Sequence, residues 1–158
     1  MRHRLFVHLV WTTMDRRPLI NLAVAQYLSR YLPAIAAEER AQVIALGIVS
    51  THLHLLLRLH PATQIARMVM RMKGGSSRLA STEGHAPSDA PLRWARGYNL
   101  ESVSARALPA VSRYVADQAA RHPDEAIAGW VAAEVRHSIA WQSDQPPAST
   151  PRSTRWSL

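Results

Sequence analysis

Cysteine is absent from the 158 residues, which excludes a disulfide framework, thiolate zinc sites and a cysteine nucleophile together. Any metal must then be held by imidazole, carboxylate, amide or water. Long apolar runs are missing as well: no stretch of 18 or more apolar residues occurs, so no membrane-spanning helix is expected. The first residues (Met1, Arg2, His3, Arg4) lead into a patterned segment containing Trp11 with no small-residue cleavage site. A soluble, cytoplasmic, nucleoid-associated prokaryotic protein is the expectation. Lysine is scarce, since Lys73 is the one lysine among 19 Lys+Arg, and only 11 Asp+Glu oppose them. The net charge of +8 and a pI near 11.2 point to a polyanionic partner, nucleic acid first and acidic lipid second. At this length the chain holds one domain plus a tail.

Residues 4–13 combine β-branched and aromatic side chains without Gly or Pro, the pattern of a buried strand. Asp15, Arg16, Arg17 and Pro18 form a basic turn. Leu22, Ala25, Leu28, Leu32 and Ile35 recur at helical spacing through residues 19–39, with Pro33 a kink or early stop. Strands are expected over 42–49 and 52–59, joined as a hairpin through Ser50 and Thr51. Another helix opens near Thr63 as N-cap, buries Ile65, Met68, Val69 and Met72, and is interrupted at Gly74 and Gly75. After a loop over 81–91, short extended segments surround Trp94, Gly97, Tyr98 and Val103. A helix is expected over 108–121 with Pro109 in its first turn, then an amphipathic helix over 124–141. Residues 142–158 have the Pro/Ser/Thr-rich composition of a disordered tail. The element order predicts an α+β ferredoxin-like sandwich, an antiparallel sheet with helices on one face.

His52 and His54 lie two apart on a strand, so both imidazoles project to one face while Leu53 points to the other. Taken alone, such a pair is more often polar surface than a metal site. Tyr114 and Gln118, four apart, share one helix face downstream. Tyrosine is a nucleophile and glutamine lends a carbonyl oxygen. A lone helical tyrosine beside Val111 and Val115 is more often core, but a glutamine on the same apolar stripe is harder to explain as packing. His3, His8, His60, His85, His122 and His137 lack a paired spacing and are assigned no chemistry, although His8 on the first strand is a possible neighbour of the pair.

The segments Val49-Ser-Thr-His-Leu-His-Leu-Leu-Leu57 and Tyr114-Val-Ala-Asp-Gln118 resemble the His-hydrophobic-His strand and nucleophile helix of the single-tyrosine HUH transposases, including the REP-associated tyrosine transposases. Arg71-Met-Lys-Gly-Gly-Ser-Ser-Arg78, Trp94-Ala-Arg-Gly-Tyr98 and Ser102-Val-Ser104 resemble the family's basic helix end and the segment before its nucleophile helix. The resemblance covers about residues 4–122. One departure is Thr51, where many members carry an aspartate.

The resemblance implies a transposase domain over residues 1–123, with His52, His54 and Gln118 binding Mg2+ or Mn2+ and Tyr114 as nucleophile in a 5′-phosphotyrosine transesterification of single-stranded DNA. It also implies a homodimer and a hairpin or palindromic target. Arg16, Arg17, Arg71, Lys73, Arg78, Arg93, Arg96 and Arg113 are the candidate DNA contacts, with Trp94 or Tyr98 as stacking surfaces. Two other readings stand beside it. Ferredoxin-like sheets also serve as non-catalytic single-stranded DNA or RNA hairpin-binding modules. A metal-free phosphoesterase using the two histidines as acid and base calls for a second histidine motif, and none is evident.

Overall fold

The computed structural model describes residues 3–132. Strand β1 (Leu5–Thr12) alternates Val7, Leu9 and Trp11 toward one face with Phe6, His8 and Val10 toward the other. It sits inside a four-stranded antiparallel sheet of order β2-β3-β1-β4, formed with β2 (Ala41–Ile48), β3 (His52–Leu59) and β4 (Asn99–Val103). Helix α1 (Leu22–Glu38) crosses from β1 to β2, and β3 inserts between those two strands, which is the split βαβ arrangement predicted. Among the described residues, no helix is long and apolar enough to cross a membrane.

Helix α1 begins where the Asn21 side chain accepts from the Val24 amide (2.9 Å), satisfying a free N–H of the first turn. Pro33 lies within the helix and does not end it. Leu32, Ile35 and Ala36 on either side of it are buried against the sheet, which holds the flanking turns in line. The chain leaves the helix through Arg40, whose φ of 62° reverses its direction into β2.

The glycine pair expected to interrupt the next helix does something else. Helix α2 (Ile65–Met70) runs into a π turn (Arg71–Gly75) and on into α3 (Ser76–Thr82) without a break. The Tyr31 hydroxyl from α1 donates to the Arg71 carbonyl (3.1 Å), and a Cβ on Gly75 would stand 1.8 Å from that hydroxyl. A π turn with an inserted donor is a recognised way to widen a helix locally. Thr63 is not the cap of α2: Gln64 holds that position, while the Thr63 hydroxyl donates to the Arg40 carbonyl (2.9 Å).

The main core lies between one sheet face and α1, α2 and α3. It is built on Leu53, Leu55, Leu57 and Leu59 of β3 with Val24, Leu28, Leu32, Met68 and Met72. Each such side chain contributes about 1.5–3 kcal/mol on burial. The expectation of helices on one face describes these three. Helix α4 (Leu108–Ala116) packs on the other face, through Val115 against Ala45 and Leu56.

The helix expected over 108–121 is two, α4 and α5 (Gln118–Arg121), separated at Asp117. The helix expected over 124–141 does not form across its described part. Pro123–Glu125 make one 3-10 turn, and Gly129 takes a φ of 79° that no α-helix admits. Ile127 and Trp130 nonetheless pack on the core. Residues 133–141 and the expected tail at 142–158 lie outside the described residues.

Candidate active site

Strand alternation places His52 and His54 on the face that α4 covers, and both are buried. Their ring centroids are 5.2 Å apart. Position 47, opposite His54 on β2, is glycine. A Cβ there would lie 1.9 Å from the Val115 carbonyl and 2.9 Å from Gln118 Cγ. The missing side chain is therefore what lets the end of α4 and the start of α5 settle against the histidines.

That docking brings His52, His54, Tyr114 and Gln118 together. Gln118 is 1% exposed, its Nε2 donates to the Tyr114 carbonyl (2.8 Å), and its Oε1 is buried without a hydrogen-bond donor. Tyr114 stays 37% exposed with its ring edge-on to His54 at 5.7 Å. An orphaned buried acceptor is costly. A cation beside Gln118 would satisfy it, so the donor set fits a divalent metal. Among the described residues no three His, Asp or Glu side chains form a cation site by themselves, and the amide oxygen is needed to complete a set of three.

Electrostatics keep the imidazoles neutral, the form that ligates metal. Burial, reinforced by His52, His8 and His122, pushes His54 down to about 3. Burial also lowers His52, opposed chiefly by the nearby Glu125 carboxylate. His8 is lowered by burial and opposed by Glu101.

Further residues surround the pair: His8 and Thr51, which the sequence already places near it, and Glu125, His122 and Arg121, for which it assigns no role. His8 Nε2 lies 2.8 Å from His54 Nδ1. Thr51, at the position where many single-tyrosine HUH members carry aspartate, sets its Oγ1 2.9 Å from His52 Nδ1. Glu125 Oε2 lies 3.5 Å from the same nitrogen, and His122 stands edge-on to His52 at 5.0 Å. The Arg121 guanidinium lies 4.5 Å above the Tyr114 ring centroid. Helical spacing carried a signal for two of these, since His122 follows Gln118 by four residues and Arg121 follows Tyr114 by seven.

The basic candidates divide. Arg16 and Arg17 follow the end of β1, where Thr12 pairs with His52, and Arg93 and Arg96 flank the Thr13–Trp94 bridge beside it. All four are exposed at the histidine end of the sheet. Arg113 on α4 is exposed too, and Arg78 is exposed on α3, on the opposite face of the sheet. Arg71 and Lys73 are engaged internally. Arg71 pairs with Glu38 and with Glu39 (2.7 Å), and Lys73 Nζ donates to the carbonyls of Ala95 (2.8 Å) and Gly97 (2.6 Å). Trp94 is half-buried, edge-on to Trp11 at 5.8 Å, with its indole N–H donating to Ser76 Oγ (2.9 Å). It braces the core, whereas Tyr98 is exposed.

Comparison with known proteins agrees with this geometry. The chain is 34% identical over 76 residues to the ISDra2 transposase TnpA of Deinococcus radiodurans, a stretch that is 48% of this chain and 54% of that protein. It thus spans about half the length of that curated relative. A provisionally assigned transposase of Deinococcus radiodurans R1, solved as a crystal structure, superposes with a TM-score of 0.58 at 26% identity, over 81% of this chain and 95% of that one. A REP-associated tyrosine transposase bound to a REP hairpin superposes with a TM-score of 0.59 at 12% identity, over 83% and 74%, a likeness of fold. The family model described as "Transposase IS200 like" matches residues 1–118, a span that contains both histidines and closes on Gln118. With most of its length matched and the expected four residues gathered at one point, the chain belongs to the family of IS200-like transposases.

Proposed function

We propose that this transposase cleaves and rejoins single-stranded DNA at hairpin-flanked sites through a tyrosine nucleophile, Tyr114. The observation that carries the reading is the convergence of two buried neutral imidazoles and the donorless Gln118 Oε1 beneath an exposed tyrosine. His52, His54 and Gln118 are the residues that would hold Mg2+ or Mn2+. Imidazole ligands favour Mn2+ of the two. When bound, the cation supplies Lewis-acid polarisation of a phosphodiester's non-bridging oxygens.

The protein's own groups do the rest. Tyr114, exposed at the rim, meets the strand, and its hydroxyl oxygen attacks phosphorus. A phosphorus–oxygen bond to Tyr114 forms, the bond to the 3′ oxygen breaks, and that oxygen leaves with a proton as a 3′ hydroxyl. Reversal by another 3′ hydroxyl returns the proton to the tyrosine and rejoins the strand. Arg121, stacked on the nucleophile's ring, is placed to meet phosphate charge. Arg16, Arg17, Arg93 and Arg96 offer the exposed cationic surface along which a backbone would run. The protein acts as a homodimer in this reading, which sedimentation would check.

The test is incubation of the full chain with single-stranded hairpin oligonucleotides and Mn2+. A covalent adduct that maps to Tyr114 and disappears in Tyr114→Phe is expected. An adduct formed by Tyr114→Phe would remove Tyr114 from the role, and binding without cleavage under any divalent ion would favour the non-catalytic module.

A further inference from the structure

We propose that His8 is a positioning residue for His54: it accepts the Nδ1 proton of His54 and holds that ring in the tautomer whose Nε2 lone pair is free for a cation. The inference rests on the metal reading above and extends it to a residue on a different strand.

A neutral imidazole carries one N–H and one lone pair, so a short contact between two ring nitrogens fixes both rings at once. His8 Nε2 and His54 Nδ1 are 2.8 Å apart, with the rings nearly parallel (17°) and centroids at 5.1 Å. One of the two nitrogens must donate. If His8 donated, the single N–H of His54 would sit on Nε2, where among the described residues it meets no acceptor. An N–H there with no acceptor forgoes the hydrogen bond that Nδ1 would make, worth about 0.5–1.5 kcal/mol. If His54 donates through Nδ1, its one N–H is satisfied and its lone pair lies on the nitrogen away from His8. The half-exposed His8 ring then keeps its own N–H on Nδ1.

Strand pairing makes the arrangement permanent. Val10 of β1 pairs with His54, and His8 pairs with Leu56, so His8 and His54 are diagonal neighbours on one face. The same His8 ring lies edge-on to Tyr114 at 5.9 Å. It therefore touches both a proposed ligand and the proposed nucleophile. His52 has its counterpart in Thr51, whose Oγ1 contacts the corresponding Nδ1. Outer partners of this kind set ligand tautomer and orientation, and their loss weakens metal affinity about 10–100-fold.

The experiment compares Mn2+ affinity of the wild-type chain, His8→Phe and His8→Gln, and reads the His54 tautomer by 15N imidazole spectra of the metal-free wild-type protein. The expected results are His54 protonated on Nδ1, Mn2+ binding weakened about 10–100-fold in His8→Phe, and substantial recovery in His8→Gln, whose amide oxygen reaches the Nε2 position. Wild-type affinity in His8→Phe, or a His54 proton on Nε2, overturns the role of His8 while leaving the metal site standing. Absence of Mn2+ binding by the wild-type chain overturns the metal reading and His8's role with it. Metal-free melting curves show whether each variant folds. Should His8→Phe not fold, the wild-type spectra and His8→Gln decide: near-wild-type affinity in His8→Gln supports the proposal, and a loss as large as that set for His8→Phe overturns it.

Discussion

The two faces of β3 are made from adjacent residues and have opposite characters. Leu53, Leu55, Leu57 and Leu59 face α1, α2 and α3 in the main core, while His52, His54 and Leu56 face α4 and α5. One face is closed by interchangeable apolar contacts. The other keeps a donorless carbonyl oxygen, a glycine where a side chain would collide and imidazoles held neutral by burial. A sheet surface thus divides into a half that holds the fold together and a half that tolerates unfavourable groups, the half where the proposed chemistry lies.

Substitutions on the two faces separate these roles. The largest stability effect is expected for Leu55→Ala, a loss of about 2–5 kcal/mol in urea unfolding, with activity falling only as far as the unfolded fraction requires. Gly47→Ala comes next. A methyl 1.9 Å from the Val115 carbonyl must displace α4, so adduct formation should drop at least tenfold, with a stability loss of about 1–3 kcal/mol. Adduct yield equal to wild type would show that α4 docking does not limit the reaction. His54→Leu should change stability by about 1 kcal/mol or less, because a buried neutral ring is exchanged for an apolar side chain. Mn2+ binding by calorimetry should nevertheless vanish.

The smallest effect distinguishes the faces by pH. Glu39 is buried and bonded to Arg71 and Arg67 beside the core face, and the Arg71 hydrogen bond holds its carboxyl below the usual carboxylate range. Its contribution is present in full above the unfolded value of about 4.5 and is lost as pH falls through the lowered native value. Glu39→Gln should flatten the acid limb of a melting-temperature profile and leave the neutral limb parallel to wild type. An unchanged acid limb would remove Glu39 from that account.

Much of the fold was legible because β1, β2 and β3 write their burial as alternation and α1 writes its own as a three- to four-residue repeat. Pro33 and the Gly74-Gly75 pair misled where local propensity opposed tertiary packing. The proline is carried through by buried neighbours, and Gly75 admits Tyr31 beneath a π turn. Beyond residue 125, Ile127 and Trp130 have a spacing that suits a helix, yet the left-handed Gly129 between them lets both reach the core from an irregular segment. In the site, short spacing puts His52 beside His54 and Tyr114 beside Gln118, but the resemblance to the single-tyrosine HUH transposases is what joins the two pairs. His8 was legible only as a possible neighbour, since its partner is 46 residues away and strand register is what brings the two rings together. Arg71 and Lys73 are candidate DNA contacts by charge and by the resemblance of their segment to a basic helix end, and sequence carries no sign of the carboxylates and carbonyls that engage them.

The match to the family model stops at residue 118, but the molecule's cohesion does not. The carbonyl of Glu125 accepts from the Ser50 amide (2.8 Å) in the turn that launches the histidine strand, and Trp130 packs on the core. A fragment trimmed to the recognisable family span would carry every proposed ligand and the proposed nucleophile while losing the strap that fastens the β2–β3 hairpin. Shortened versions of the chain should therefore retain the segment through Trp130, which fastens that hairpin and packs on the core.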